Sequence, residues 1–180
     1  NEPLFNLLLV TMRLLAEEQR LGTLELLLTS PVRDWEVVVG KFLASLILYV
    51  VMLAFTGYYV VILKLYGNPD WGPILSTYLG LILLGAALLS LGLLTSAMTQ
   101  NQIIAAVAGF GLILALLMAQ FLGDLAKPPL STFLSQVALF EHYFDFLKGV
   151  VDTKDVVYYL SVTAAGLFLT TQVLQTRRWR

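Results

Sequence analysis

The 180-residue chain is 58 % hydrophobic and 13 % charged, with a formal net charge of −1 and a mean hydropathy of +0.82. A soluble domain is about a quarter charged, so this chain has too few polar side chains to cover a water-facing surface, and it has no basic field for nucleic acid. Cysteine is absent, which removes disulfides, thiolate nucleophiles and Cys-based metal sites.

What remains is an all-α, polytopic membrane protein without a recognisable catalytic site. Residues 1–16 are apolar but short and contain Arg13. They read as the end of a truncated span. No basic stretch followed by a short apolar core is present, so no signal peptide is read there. Residues 17–36 change character. Gly22 can stop one helix and Thr23 can cap the next. Leu24, Leu27 and Leu28 then fall at i, i+3 and i+4 and make one apolar face, with Glu25 and Thr29 on another side. Ser30-Pro31 marks a second helix start, because proline suits the first helical position. The spacing predicts a short amphipathic helix outside the bilayer, and such a leucine face calls for a partner's groove or the lipid interface.

Four spans follow, placed by where charge is missing. Residues 42–63 carry no charge and are bracketed by Lys41 and Lys64, close to the ~20 residues that cross a ~30 Å hydrocarbon layer; the span is drawn at 37–65. Between Asp70 and Asp124 there is again no charge. That length suits two spans, 74–97 and 103–122, divided by the polar turn Thr99-Gln100-Asn101-Gln102. The last span is 156–176, ending at Arg177, Arg178, Trp179 and Arg180. Unbroken apolar runs exclude alternating barrel strands, and lone strands would leave backbone groups unpaired in lipid. The 123–155 segment lies between spans. Leu139, Phe140, Tyr143, Phe144 and Leu147 have helical spacing, which predicts an interfacial or re-entrant helix ended by Gly149 and Asp152. Arg13, Arg20, Arg33 and the C-terminal arginines share one side, and Lys64, Lys127, Lys148 and Lys154 the other. The positive-inside rule then places both ends of the chain in the cytoplasm and 123–155 outside.

Few residues suggest chemistry. Ala86 with Ser90, and Ala105 with Gly109, have the spacing that lets helices approach closely. Gly40-Lys41 lacks the glycine a phosphate loop needs five positions earlier, where Trp35 stands, so ATP-driven work requires a partner. His142, the single histidine, lies near Glu141 and Asp145. That set could be drawn as an acid–base or metal cluster, although a metal site wants three or more ligands; neither metal nor cofactor is expected. Gln120 is among the few strongly polar side chains in the spans, and no Asp, Glu, His or Arg stands within them. This counts against an autonomous ion-coupled carrier.

Met12-Arg13-Leu14-Leu15-Ala16-Glu17-Glu18, then Gly22-Thr23-Leu24-Glu25-Leu26-Leu27, Ser30-Pro31-Val32 and Gly40-Lys41 together resemble the ABC-2 family of ABC-transporter permeases. The tail resembles a bacterial gliding-motility-type subgroup, through Glu141-His142-Tyr143-Phe144, Gly149-Val150-Val151-Asp152, Asp155, Tyr158-Tyr159-Leu160-Ser161 and Arg177-Arg178-Trp179. The resemblance implies a permease subunit of an ATP-driven exporter in the bacterial plasma membrane. It would pair with a second permease copy or paralogue and with cytoplasmic ATPase subunits. The helix after Gly22 would be the coupling helix, with Glu17, Glu18, Gly22, Thr23, Glu25 and Pro31 carried over to that element and Leu24, Leu27 and Leu28 as its apolar face. Family members usually have six spans. Here the first is missing and the second is shortened to about 3–15. Two rivals stand beside this reading: a non-transporting membrane anchor that docks a soluble partner, and an intramembrane enzyme using Glu141, His142 and Asp145.

Overall fold

A computed structural model describes residues 33–125 and 138–178. Five helices make up this part: α1 (Asp34–Tyr66), α2 (Trp71–Met98), α3 (Gln102–Leu125), α4 (Leu139–Leu147) and α5 (Thr153–Arg178). No strand occurs among the described residues. α1, α2, α3 and α5 are long and apolar enough to cross a membrane, and each falls on one of the four charge-poor runs.

The helix starts follow local chemistry. At α1 the Arg33 amide donates to the Glu36 carboxylate at 3.1 Å, so an acidic side chain satisfies a free donor in the first turn. At α2 the Asp70 carboxylate accepts from the Gly72 amide at 3.2 Å. At α3 the Asn101 side chain accepts from the Ile103 amide at 2.9 Å, and at α5 Asp152 accepts from the Lys154 amide at 3.1 Å. At α2, α3 and α5, short polar side chains just before the apolar runs thus do the capping.

α2 is the central helix. One buried cluster joins Phe42, Tyr49 and Leu53 of α1 to Leu89, Leu93 and Ala97 of α2, with Leu167 and Val173 of α5 packed on it. A second joins Leu84, Ala87 and Leu88 of α2 to Ile113 of α3, Leu139 and Phe146 of α4 and Tyr159 of α5. Small residues allow these approaches. A Cβ on Gly85 would collide with the Tyr49 ring, and one on Gly166 of α5 would stand 2.6 Å from Ser90 Oγ. Ser90, taken from the sequence as half of a small-residue pair, is therefore at a helix crossing. Tyr49 also donates its hydroxyl to the Leu81 carbonyl at 2.8 Å, and the Thr56 and Tyr78 hydroxyls meet at 3.0 Å. α1 is thus joined to α2 by polar as well as apolar contacts. Large side chains that remain exposed, such as Ile47, Phe55, Val107, Phe121 and Phe168, stand on the outer faces, where a lipid-embedded chain has no need to hide them.

Candidate functional site

The one described helix too short to cross a membrane is α4. Two devices end it. The Val150 amide donates to the Asp145 carbonyl at 3.0 Å, and the Gly149 amide to the Phe146 carbonyl at 3.2 Å. These are the paired bonds of a Schellman turn. Gly149 has φ +85°, the left-handed conformation that glycine adopts without penalty.

Register fixes how α4 lies. Gly149 sits against Pro73 at the start of α2, and the Phe146 ring packs on Gly80, where a Cβ would be 2.7 Å away. Leu139 reaches the cluster of Leu84 and Leu88. α4 therefore runs antiparallel to α2, and its first turn lies about 16 Å along α2 from Pro73, at 1.5 Å per residue. Leu139 and Phe146 face inward, while Phe144 and Leu147 are exposed.

Hydrogen bonds hold α4 on two sides. Toward α2, the Ser76 hydroxyl donates to the Phe146 carbonyl at 2.7 Å, with Thr77 at 3.5 Å from the same oxygen. The last carbonyls of a helix lack intrahelical donors, and Ser76 supplies one. Toward α5, Tyr159 donates its hydroxyl to the Leu139 carbonyl at 2.6 Å. His142 Nδ1 lies 2.7 Å from Asp155 Oδ1, and the imidazole stacks on Tyr158 with centroids 4.1 Å apart. The Asp155 side chain is 7 % exposed and His142 23 %. An ionised carboxylate only accepts, so Nδ1 carries the hydrogen. His142 Nε2 and Asp155 Oδ2 are buried without a partner. Burial raises the Tyr143 phenol above its usual range.

The structure does not gather Glu141, His142 and Asp145. Asp145 turns to Lys148, 2.9 Å away, and His142 takes Asp155, thirteen residues on. Among the described residues no group of three His, Asp or Glu side chains is placed to hold a metal. Asp155, Ser76 and Tyr159 are what reading by segments misses. Asp155 enters the sequence reading only within the tail pattern, and its one local signal is that it is an acid in the first turn of an apolar helix. Glu17, Glu18, Gly22, Thr23, Leu24, Glu25, Leu27, Leu28 and Pro31, the expected coupling residues, lie outside the described residues, and so does the side chain of Gln120.

At the end of the bundle that holds α4, Lys64 sits over the Trp71 ring, 5.4 Å from its centroid, with Tyr58, Tyr59 and Tyr66 exposed nearby in sequence. Tyr and Trp concentrate at membrane–water boundaries, which suits this end as one edge of the apolar layer.

A family model described as "ABC-2 family transporter protein" matches residues 5–178. No curated protein matches, and no solved structure does.

Proposed function

The chain belongs to the ABC-2 family of transporter proteins, the membrane permease component of ABC transporters, and we propose that it couples ATP hydrolysis by a separate ATPase to export. The match over residues 5–178 carries this reading, because it includes the amphipathic 22–30 segment together with all four long apolar helices. ATP binding closes the ATPase pair and presses on that segment. The press passes directly into α1, whose first turn begins at Asp34. For the press to shift the permease, the segment must make different contacts in the two states.

A second permease copy or paralogue completes the pathway in this proposal. The bilayer is the bacterial plasma membrane, with both ends of the chain on the cytoplasmic side. The arginine-rich and lysine-bearing sides of the sequence support that orientation through the positive-inside rule. The tail residues shared with the gliding-motility-type subgroup support a place within that group.

The test replaces the apolar face of the coupling segment. Permease with Leu27→Asp or Glu25→Arg, reconstituted with its ATPase, is expected to insert normally. It should lose most of the permease-dependent stimulation of ATP turnover, about tenfold or more if one docking anchor is removed. Full stimulation and transport by both variants would overturn the coupling role. ATPase that co-purifies with the permease but is never stimulated by it would favour a non-transporting anchor.

A further inference from the structure

The contacts of α4 differ in kind on its three sides. Toward α2 they are a buried hydroxyl–carbonyl bond from Ser76, a phenyl ring seated on Gly80, and Gly149 against Pro73. Toward α5 they are the His142–Asp155 pair, the His142–Tyr158 stack and the Tyr159–Leu139 bond. Toward α3, the described side chains that share the cluster of Leu139 and Phe146 are aliphatic: Ile113, with Leu116 and Leu117 packed against that cluster. Directional bonds fix both distance and register and are lost on sliding. Aliphatic contacts are non-directional and let one surface slip over another. α2 and α5 are themselves locked by the Gly166–Ser90 approach.

We propose that α4 travels with α2 and α5 as one rigid body during the transport cycle and slides against α3, with Ser76 and the His142–Asp155 pair as its positioning residues. The inference rests on the ATP-coupled reading above for the cycle itself, but the bolting of α4 is a property of the chain alone. Ser76 works through the last turn of α4: its bond holds the Phe146 carbonyl, and that carbonyl also accepts from the Gly149 amide. One hydroxyl therefore holds the helix end and its turn together. The His142–Asp155 pair anchors the helix nearer its other end. Two anchors on one helix remove rotation as well as translation, which a single bolt cannot do.

Two measurements on the full chain test the proposal. The first needs no nucleotide. Amide hydrogen exchange over residues 139–147 is read in lipid nanodiscs for wild type, Ser76→Ala, Ser76→Thr and His142→Phe. Loss of one buried bond should speed exchange of that segment about tenfold in Ser76→Ala and His142→Phe. Ser76→Thr, which keeps a hydroxyl, should return it toward wild type. Wild-type exchange in both disrupting variants would overturn the bolts.

The second measurement uses the chain's lack of cysteine. Spin labels are placed in pairs at exposed positions, on Phe144→Cys with Leu75→Cys (α2), Leu160→Cys (α5) or Phe121→Cys (α3). The permease is held with its ATPase, without nucleotide and then trapped with ATP and vanadate. The 144–75 and 144–160 distances should stay constant while 144–121 shifts, and Ser76→Ala should let 144–75 shift as well. A wild-type 144–75 change as large as the 144–121 change would overturn the rigid body. If no distance responds and ATP turnover is not stimulated, the ATP-coupled reading fails and the rigid-body claim fails with it. The exchange result still decides whether Ser76 and His142 hold α4.

Discussion

α2 and α3 are consecutive helices of nearly equal hydropathy, yet 61 % of the most apolar stretch of α2 is buried and only 17 % of that of α3. Apolarity alone does not decide what is central. Lipid tails are as apolar as leucine, so helices in a bilayer associate through close packing and hydrogen bonds. α2 offers Gly80, Gly85 and Ser90 where a ring or a backbone comes close, and Ser76 as a donor to a neighbour. On α3, a Cβ added at Gly111 would meet nothing within 4 Å, although Gly109 on the same helix is buried. Glycine is a contact point at Gly80 and Gly85 and open surface at Gly111.

The strongest way to break the contrast is to add one methyl group to each. Gly85→Ala drives a Cβ into the Tyr49 ring and should destabilise the bundle by about 3 kcal/mol, the upper range for overpacking. The readout is thermal unfolding in detergent, and a second substitution, Tyr49→Ala, should return part of the loss. A wild-type melting temperature for Gly85→Ala alone would show that α1 does not press on α2 there. Next in size is Gly149→Ala. A left-handed conformation costs a non-glycine residue roughly 1–2 kcal/mol, and the new Cβ would also lie 3.2 Å from the Pro73 ring. Selective loosening of residues 139–147 in hydrogen exchange is the expected sign, with α1 unaffected. Smallest and opposite in sign is Gly111→Ala. It meets no atom and removes backbone freedom, so it should stabilise by about 0.5–1 kcal/mol. A clear loss of stability there would mean that α3 has a close neighbour, and would mark a contact on its outer face.

The long helices were legible because charge is so sparse. Lys41 and Lys64 bracket α1's apolar run, and the most polar interruption between Asp70 and Asp124 became the turn that Asn101 caps. α4 was legible as a helix from Leu139, Phe140, Tyr143, Phe144 and Leu147. Its attachments were not. The Ser76–Phe146 bond joins residues 70 apart, and a serine in an apolar run looks the same whether it bonds back to its own helix or across to another. Ser76 does both, since its hydroxyl is also 3.0 Å from the Gly72 carbonyl. Pairing His142 with Asp145 from sequence was a matter of short spacing; folding the chain back through Gly149 instead brings Asp155 of the next helix to the imidazole.

The central place of α2 bears on how the protein is made. Translation delivers α1 and α2 before α3, α4 and α5, and the Tyr49–Leu81 bond lets them pair as a hairpin while those helices are still to come. The face of α2 that bears Gly80 and Ser90 then waits for partners that emerge about sixty residues or more later. Until α4 and α5 arrive, the Ser76 hydroxyl has only its own backbone to bond and the notches stand open to lipid. Of the described helices, α5 is made last and closes the core, and a nascent chain stalled before Thr153 would display that open face to any quality-control protease in the membrane.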